Sequence, residues 1–181
     1  MKKAAVLAVM CAAFIFPASV FPSSFPPVKF ELIGGDFVSL PSDIKHDVTL
    51  VALSFKRPAD GVVESWTNTF AAKFTALGRA SYYQVAVIGD VGFIGGFILG
   101  GMRSGATEEQ KKHLAVCWEN KKEQLVKYGV EDESLIYVYL LDRTGNIALF
   151  KKGLKASGRD IEEILSAAER LLDIKNKKGE K

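Results

Sequence analysis

Apolar positions along this chain fall into short runs and one-sided stripes whose period changes several times. Val28–Ile33 alternates, Gly34-Gly35 turns the chain, and Asp36–Leu40 follows, which predicts a leading hairpin. Residues 48–55 are almost uninterruptedly apolar, as expected of a strand covered on both faces. Beyond them, Val62, Val63, Trp66, Phe70, Phe74 and Leu77 share one side of a predicted helix, with Asp60 as its expected N-cap and Gly78 as its end. Strands are expected at Tyr82–Ile88 and Lys112–Cys117, then a helix over Glu119–Tyr128 stopped by Gly129. Leu135–Leu141 reads as a central strand that turns through Asp142-Arg143-Thr144-Gly145 into Asn146–Lys151. Ser157 and Asp160 form a capping signature ahead of Ile161, Ile164, Leu165, Ala168 and Leu171. Strand–helix–strand, a helical insert, strand–helix and then hairpin–helix describe an α/β sandwich around a central mixed sheet. No internal repeat is visible.

The ends of the chain change the picture. Lys2 and Lys3 precede an apolar run from Ala4 to Phe16, followed by Pro17-Ala18-Ser19, which reads as a secretory signal over residues 1–20. The run is short for a membrane span, which needs about 20 residues. Ala18-Ser19-Val20 only approximates a cleavage site, so an uncleaved anchor stays open beside a cleaved signal. Both place the protein in the periplasm or outside the cell, with or without attachment to the inner membrane. Residues 21–27, with Pro22, Pro26 and Pro27, read as an extended linker, 28–174 as the domain, and 175–181 as a basic, solvated tail.

Of the two cysteines, Cys11 falls within the signal, leaving Cys117 alone in the mature chain and no internal disulfide. Loss of Lys2 and Lys3 lowers the formal charge from +3 to +1, which leaves no charge-based case for nucleic acid. His46 and His113 have no ligand spacing to each other or to a cysteine, so neither a metal nor another cofactor is expected.

The unusual stretch is Val91–Gly101, which carries five glycines among bulky apolar residues. It is neither a phosphate-binding loop, since no Gly-Lys-Ser/Thr follows, nor a secure dinucleotide fingerprint. As a helix it sets Gly92, Gly96 and Gly100 four residues apart on one face, beside Phe93 and Phe97. Such a face admits another helix closely. Each glycine costs the helix up to about 1 kcal/mol relative to alanine, so packing or a partner must compensate. Arg103, just beyond, is a candidate anchor for a carboxylate or phosphate.

Several segments carry a resemblance. They are Val63-Glu64-Ser65-Trp66-Thr67-Asn68-Thr69-Phe70, Gly101-Met102-Arg103-Ser104, Leu114-Ala115-Val116, Lys127-Tyr128-Gly129-Val130, the run Tyr137 to Ile147, and Gly153. Together they resemble the thioredoxin-like superfamily and, more narrowly, the redox-inactive assembly-factor family of the mitochondrial ATP synthase Fo sector. The leading hairpin is similar to that of many peroxiredoxin-like domains. The resemblance implies a thioredoxin-like α/β sandwich with an N-terminal hairpin and a helical glycine-rich insert. It also implies a role in assembling membrane-embedded subunits. Two departures stand out: Ala148-Leu149 replaces an Arg-Trp pair, and the N-terminus is secretory in character and not a mitochondrial presequence.

Thioredoxin-like proteins carry their reactive thiols where the strand at 48–55 meets the following helix. Here that connection reads Lys56-Arg57-Pro58-Ala59-Asp60, with no thiolate to act as nucleophile. The cis-proline that such proteins place opposite the thiols is also missing from Glu131-Asp132-Glu133-Ser134. The expectation is a non-enzymatic, protein-binding assembly factor with a membrane-embedded client, or one that pairs with itself as a homodimer. Its expected contacts are Trp66, Phe93, Phe97 and Arg103. The alternative is a thiol-dependent oxidoreductase or peroxidase-like enzyme using Cys117 with an external reductant.

Overall fold

A computed structural model describes residues 23–173. Seven strands form one mixed sheet: β1 (Val28–Leu32), β2 (Phe37–Leu40), β3 (Val48–Ser54), β4 (Ala80–Val87), β5 (Leu114–Cys117), β6 (Ile136–Asp142) and β7 (Ile147–Gly153). Their order across the sheet is β2-β1-β5-β4-β3-β6-β7. Parallel pairing joins β3, β4 and β5, and antiparallel pairing joins the rest. The helices are α1 (Glu64–Phe74), α2 (Gly95–Ser104), α3 (Lys121–Lys127) and α4 (Gly158–Leu171). This is the expected sandwich with its hairpin and helical insert.

β3 is buried at all seven positions because the two layers meet on it. On one face Trp66, Phe70 and Phe74 of α1 and Ile164, Ala167 and Ala168 of α4 cover Leu50, Ala52, Val138 and Leu140. On the other face Tyr128 at the end of α3, with Phe25, Phe30 and Phe55, packs on Val51, Leu53, Tyr137 and Tyr139. The insert has a smaller core of its own, where Leu99 of α2 packs with Ile33 and Val116.

Local chemistry sets most of the boundaries. Ser157 accepts from the Asp160 N–H at 3.2 Å and the Asp160 carboxylate accepts from the Ser157 N–H at 3.1 Å, completing the capping box of α4. Gly78 and Gly129 end their helices with φ of +66° and +58°. Asp142 holds the β6–β7 turn by accepting from Thr144 N at 2.8 Å and Asn146 N at 3.0 Å. Gly145 in that turn has φ +83°, and a Cβ there would lie 2.3 Å from Cβ of Pro41, just past β2.

Five expectations are corrected. Asp60 does not cap α1: the helix begins at Glu64 after Val63, which makes no side-chain cap, because Gly61 at φ +76° keeps 59–62 in turns. Leu77 is half exposed, since the chain tightens into a 3-10 turn over Thr75–Leu77 and swings it off the buried stripe. α3 starts at Lys121 behind the Asn120 cap instead of at Glu119, and β5 starts at Leu114 after a 3-10 turn over Gln110–Lys112. Residues 23–27 are extended as a linker would be, yet docked: Phe25 is 1% exposed and its N–H donates to the Gly145 carbonyl at 2.9 Å. The expected signal, residues 1–20, and the tail, 175–181, lie outside the described residues.

Candidate functional site

Three parallel strands deliver their C-terminal ends to one edge of the sheet, the edge at which open α/β sheets place their sites. β3 runs there into Phe55, which is buried and meets the Tyr137 ring edge-on at 5.8 Å between centroids. The chain then passes through Lys56-Arg57-Pro58-Ala59-Asp60, where only Pro58 is partly covered. Opposite stands the loop before β6. Its backbone N–H groups at Glu131 and Asp132 both donate to Tyr137 Oη at 3.2 Å. Hydrogen bonds from Ser134, with help from Lys56 across the gap, hold the Asp132 carboxyl below its usual range. No proline stands in this loop, and among the described residues the only cis peptide is Leu40–Pro41. The edge therefore offers charge and backbone polarity but no thiol.

Cys117, the only cysteine among the described residues, closes β5 with 0% exposure. Burial pushes its thiol up to about 11, so at neutral pH it stays protonated. It packs with Phe25, Val87 and Tyr128 in the sheet's second layer. A buried, protonated thiol is poorly suited to attack a disulfide or a peroxide.

The same edge carries the glycine-rich insert beyond β4. Gly92 lies outside α2, in a 3-10 turn with φ +58°, its N–H donating to Asp90 Oδ1 at 2.9 Å. The four-residue glycine spacing on the helix therefore shrinks to Gly96 and Gly100. A Cβ at either would meet nothing within 4 Å, so that face is uncovered. Phe93 is 89% exposed and Phe97 78%. Between the insert and the sheet lies a cleft of about 340 Å³ lined by Glu31, Asp90, Gly95, Leu99 and Trp118, among others. Trp118 Nε1 donates to Glu31 Oε2 at 2.9 Å, fixing the indole against Gly95.

Of the four expected contacts, the structure leaves Phe93 and Phe97 exposed on the insert and engages the other two elsewhere. Trp66 is 1% exposed, its indole N–H has no partner among the described residues, and its ring lies against Gly153. It is held in the core, where no partner reaches it. Arg103 donates from Nε to the Ile33 carbonyl at 2.6 Å, tying the end of α2 to the β1–β2 turn, so part of its guanidinium is already engaged. The cleft itself was not legible in sequence, because Glu31 and Trp118 meet only through the pairing of β1 with β5. Among the described residues there is no group of three metal-ligating side chains and no helix long and apolar enough to cross a membrane.

No protein-family model matches this chain, and no curated protein does. Solved structures do. Yeast Sco1 matches at a TM-score of 0.56 and 14% identity, covering 82% of this chain and 96% of its own. BsSco, a member of the Sco family of cytochrome c oxidase assembly proteins with a disulfide switch, matches at 0.55 and 14%, covering 81% and 94%. The thioredoxin domain of a thiol-disulfide oxidoreductase from Bacteroides vulgatus matches at 0.51 and 20%, covering 80% and 94%. At these identities the likeness establishes the fold, which is thioredoxin-like.

Proposed function

We propose that this thioredoxin-fold chain has no redox chemistry and binds a membrane-embedded protein partner at the outer end of its glycine-rich insert, as an assembly factor on the exported side of a membrane. One observation carries the reading: Phe93 and Phe97 stand 89% and 78% exposed on a segment, residues 91–102, that contains no charged side chain. Large apolar rings are normally withdrawn from water, and covering each contributes roughly 2 kcal/mol. The uncovered glycines Gly96 and Gly100 beside them give a partner helix close approach. An apolar, uncharged surface suits an apolar partner segment, such as a membrane subunit presents before it is packed. The resemblance to the Fo assembly factors points to the same class of client, and BsSco shows that this fold includes an assembly protein.

The thiol-enzyme alternative has little to support it. The turn at 55–60 holds no cysteine, and Cys117 is buried and protonated. Only one cysteine lies within the described domain, so a switch of the kind named for BsSco has no second sulfur there.

The test is photo-crosslinking in cells from Phe93 and Phe97, with Val126, 83% exposed but outside the insert, as the control position. A discrete adduct with a membrane-embedded protein from 93 and 97, and not from 126, is the expected result. Self-adducts alone would make the insert a homodimer contact, and equal labelling from all three positions would sink the proposal.

A further inference from the structure

Three elements wall the cleft between the insert and the sheet. Val28, Phe30 and Leu32 of β1 pack in the layer with Tyr128, so Glu31 projects from the opposite face, the one the insert covers. β1 pairs Glu31 with Val116 of β5, and Trp118, two residues past Val116, packs on that same side. The hydrogen bond from Trp118 Nε1 to Glu31 Oε2, at 2.9 Å, therefore lies along the sheet side of the cleft. Asp90 reaches it from the segment after β4, with Oδ1 accepting from Gly92 N at 2.9 Å. The remaining wall is backbone. Gly95 and Gly96 open α2 without side chains, and a Cβ at Gly96 would meet nothing within 4 Å, so the space stays open.

Each carboxylate spends one oxygen in this way. Glu31 Oε1 and Asp90 Oδ2 make no hydrogen bond or ion pair among the described residues. The cations nearby are committed elsewhere. Lys121, whose Cβ lies against Gly89, pairs with Glu133 at 2.6 Å. Arg103, the only charged side chain of residues 91–104, donates to the Ile33 carbonyl. The cleft thus combines two carboxylates and an indole with no cation of the domain's own.

We propose that this cleft binds an organic cation, an alkylammonium or alkylguanidinium group, between Glu31 and Asp90 with its stem along Trp118. Two carboxylates from separate elements attract one cation more strongly than either does alone, and the walls limit screening by water. An indole suits an organic cation, because it covers the methylenes and attracts charge placed over its face. A hard divalent ion takes about six or more oxygen ligands, and the described residues hold no group of three ligating side chains. About 340 Å³ admits the head and stem of a lysine or arginine side chain. Gly92 and Gly96 line the cleft, and the residues that follow them, Phe93 and Phe97, carry the exposed apolar surface. The cation is therefore assigned to a basic side chain flanking the partner's apolar segment. That source rests on the function proposed above; the cation site itself does not.

The probe is n-butylguanidinium chloride added to the full chain and followed by the two indole N–H resonances. Trp118 Nε1 reports on Glu31, and Trp66, 1% exposed in the core, is the internal reference. A saturable shift of the Trp118 signal alone is expected, with affinity at least tenfold weaker in Glu31→Gln/Asp90→Asn. Glutamine keeps an oxygen to accept from the indole, so the loss reports charge and not a collapsed wall. No saturable shift, the same shift from sodium chloride at equal ionic strength, or unchanged affinity in the variant would overturn the cation site. Crosslinking from position 93 tests the source. In the double variant the membrane-protein adduct is expected to fall at least tenfold, and an undiminished adduct would overturn the assignment to a partner's side chain and leave a free amine as the ligand. Absence of any adduct in the wild type would overturn the client and with it that source, while the resonance titration decides the cation site without a partner.

Discussion

Labelling of Cys117 separates a structural thiol from a working one by a wide margin. With a thiol pushed up to about 11, the native thiolate population at pH 7.5 is roughly 300-fold below that of an ordinary cysteine near 8.5. Full burial adds a second barrier, because an alkylating reagent must wait for β5 to open. The assay uses the full chain with Cys11→Ser, so that only Cys117 reports, and compares iodoacetamide rates in buffer and in urea at one pH. Native labelling at least 300-fold slower than unfolded labelling is expected; rates within tenfold would refute the burial argument and reopen the thiol-enzyme reading. The same shift has a signed effect on stability. A thiol whose folded value is raised stabilises the fold fully below its unfolded value, near 8.5, and that contribution is lost as pH rises toward 11. The loss amounts to about 3 kcal/mol. Denaturation curves of the wild type and Cys117→Ala should therefore converge as pH rises through this window.

Gly145→Ala should cost at least about 2 kcal/mol in chemical denaturation, since φ is +83° and the new methyl would meet Pro41. Phe25→Ala should cost about 3–5 kcal/mol by the same assay, a loss that a solvated linker residue would not show. At the start of α4, Ser157→Ala should cost about 1 kcal/mol. The Ser157 hydrogen bond, followed by Lys151, holds the Asp160 carboxyl below its ordinary range. That contribution is present above the unfolded value, about 3.9, and is lost as pH falls through the lower folded value. Wild type should therefore lose stability between pH 5 and 2 relative to Asp160→Asn, followed by denaturation at fixed temperature.

Sequence alone determined the alternation of elements, because period and punctuation are local. The apolar block at 48–55, the Ser157–Asp160 cap, Gly78, Gly129 and the Asp142–Gly145 turn each act within a few residues, and each holds in the structure. The missing thiol at 56–60 was equally legible, since absence of a residue type needs no coordinates. What neighbours decide was not legible. Whether Trp66 faces a partner or the core depends on α4 and Gly153, more than 80 positions away in sequence. Phe25 looked like linker until Tyr128 and Tyr139 closed around it, at ring distances of 5.6 and 5.2 Å. The insert's two phenylalanines sit among apolar neighbours in sequence, and only the tertiary arrangement points Leu99 inward and leaves Phe93 and Phe97 in water. Helical periodicity says which residues share a face, while the layer that covers a face is assembled from distant strands. For that reason the thioredoxin-like architecture and the insert's two candidate phenylalanines could be read from the chain, while the burial of Trp66 and the absence of a covering layer over Phe93 and Phe97 could not.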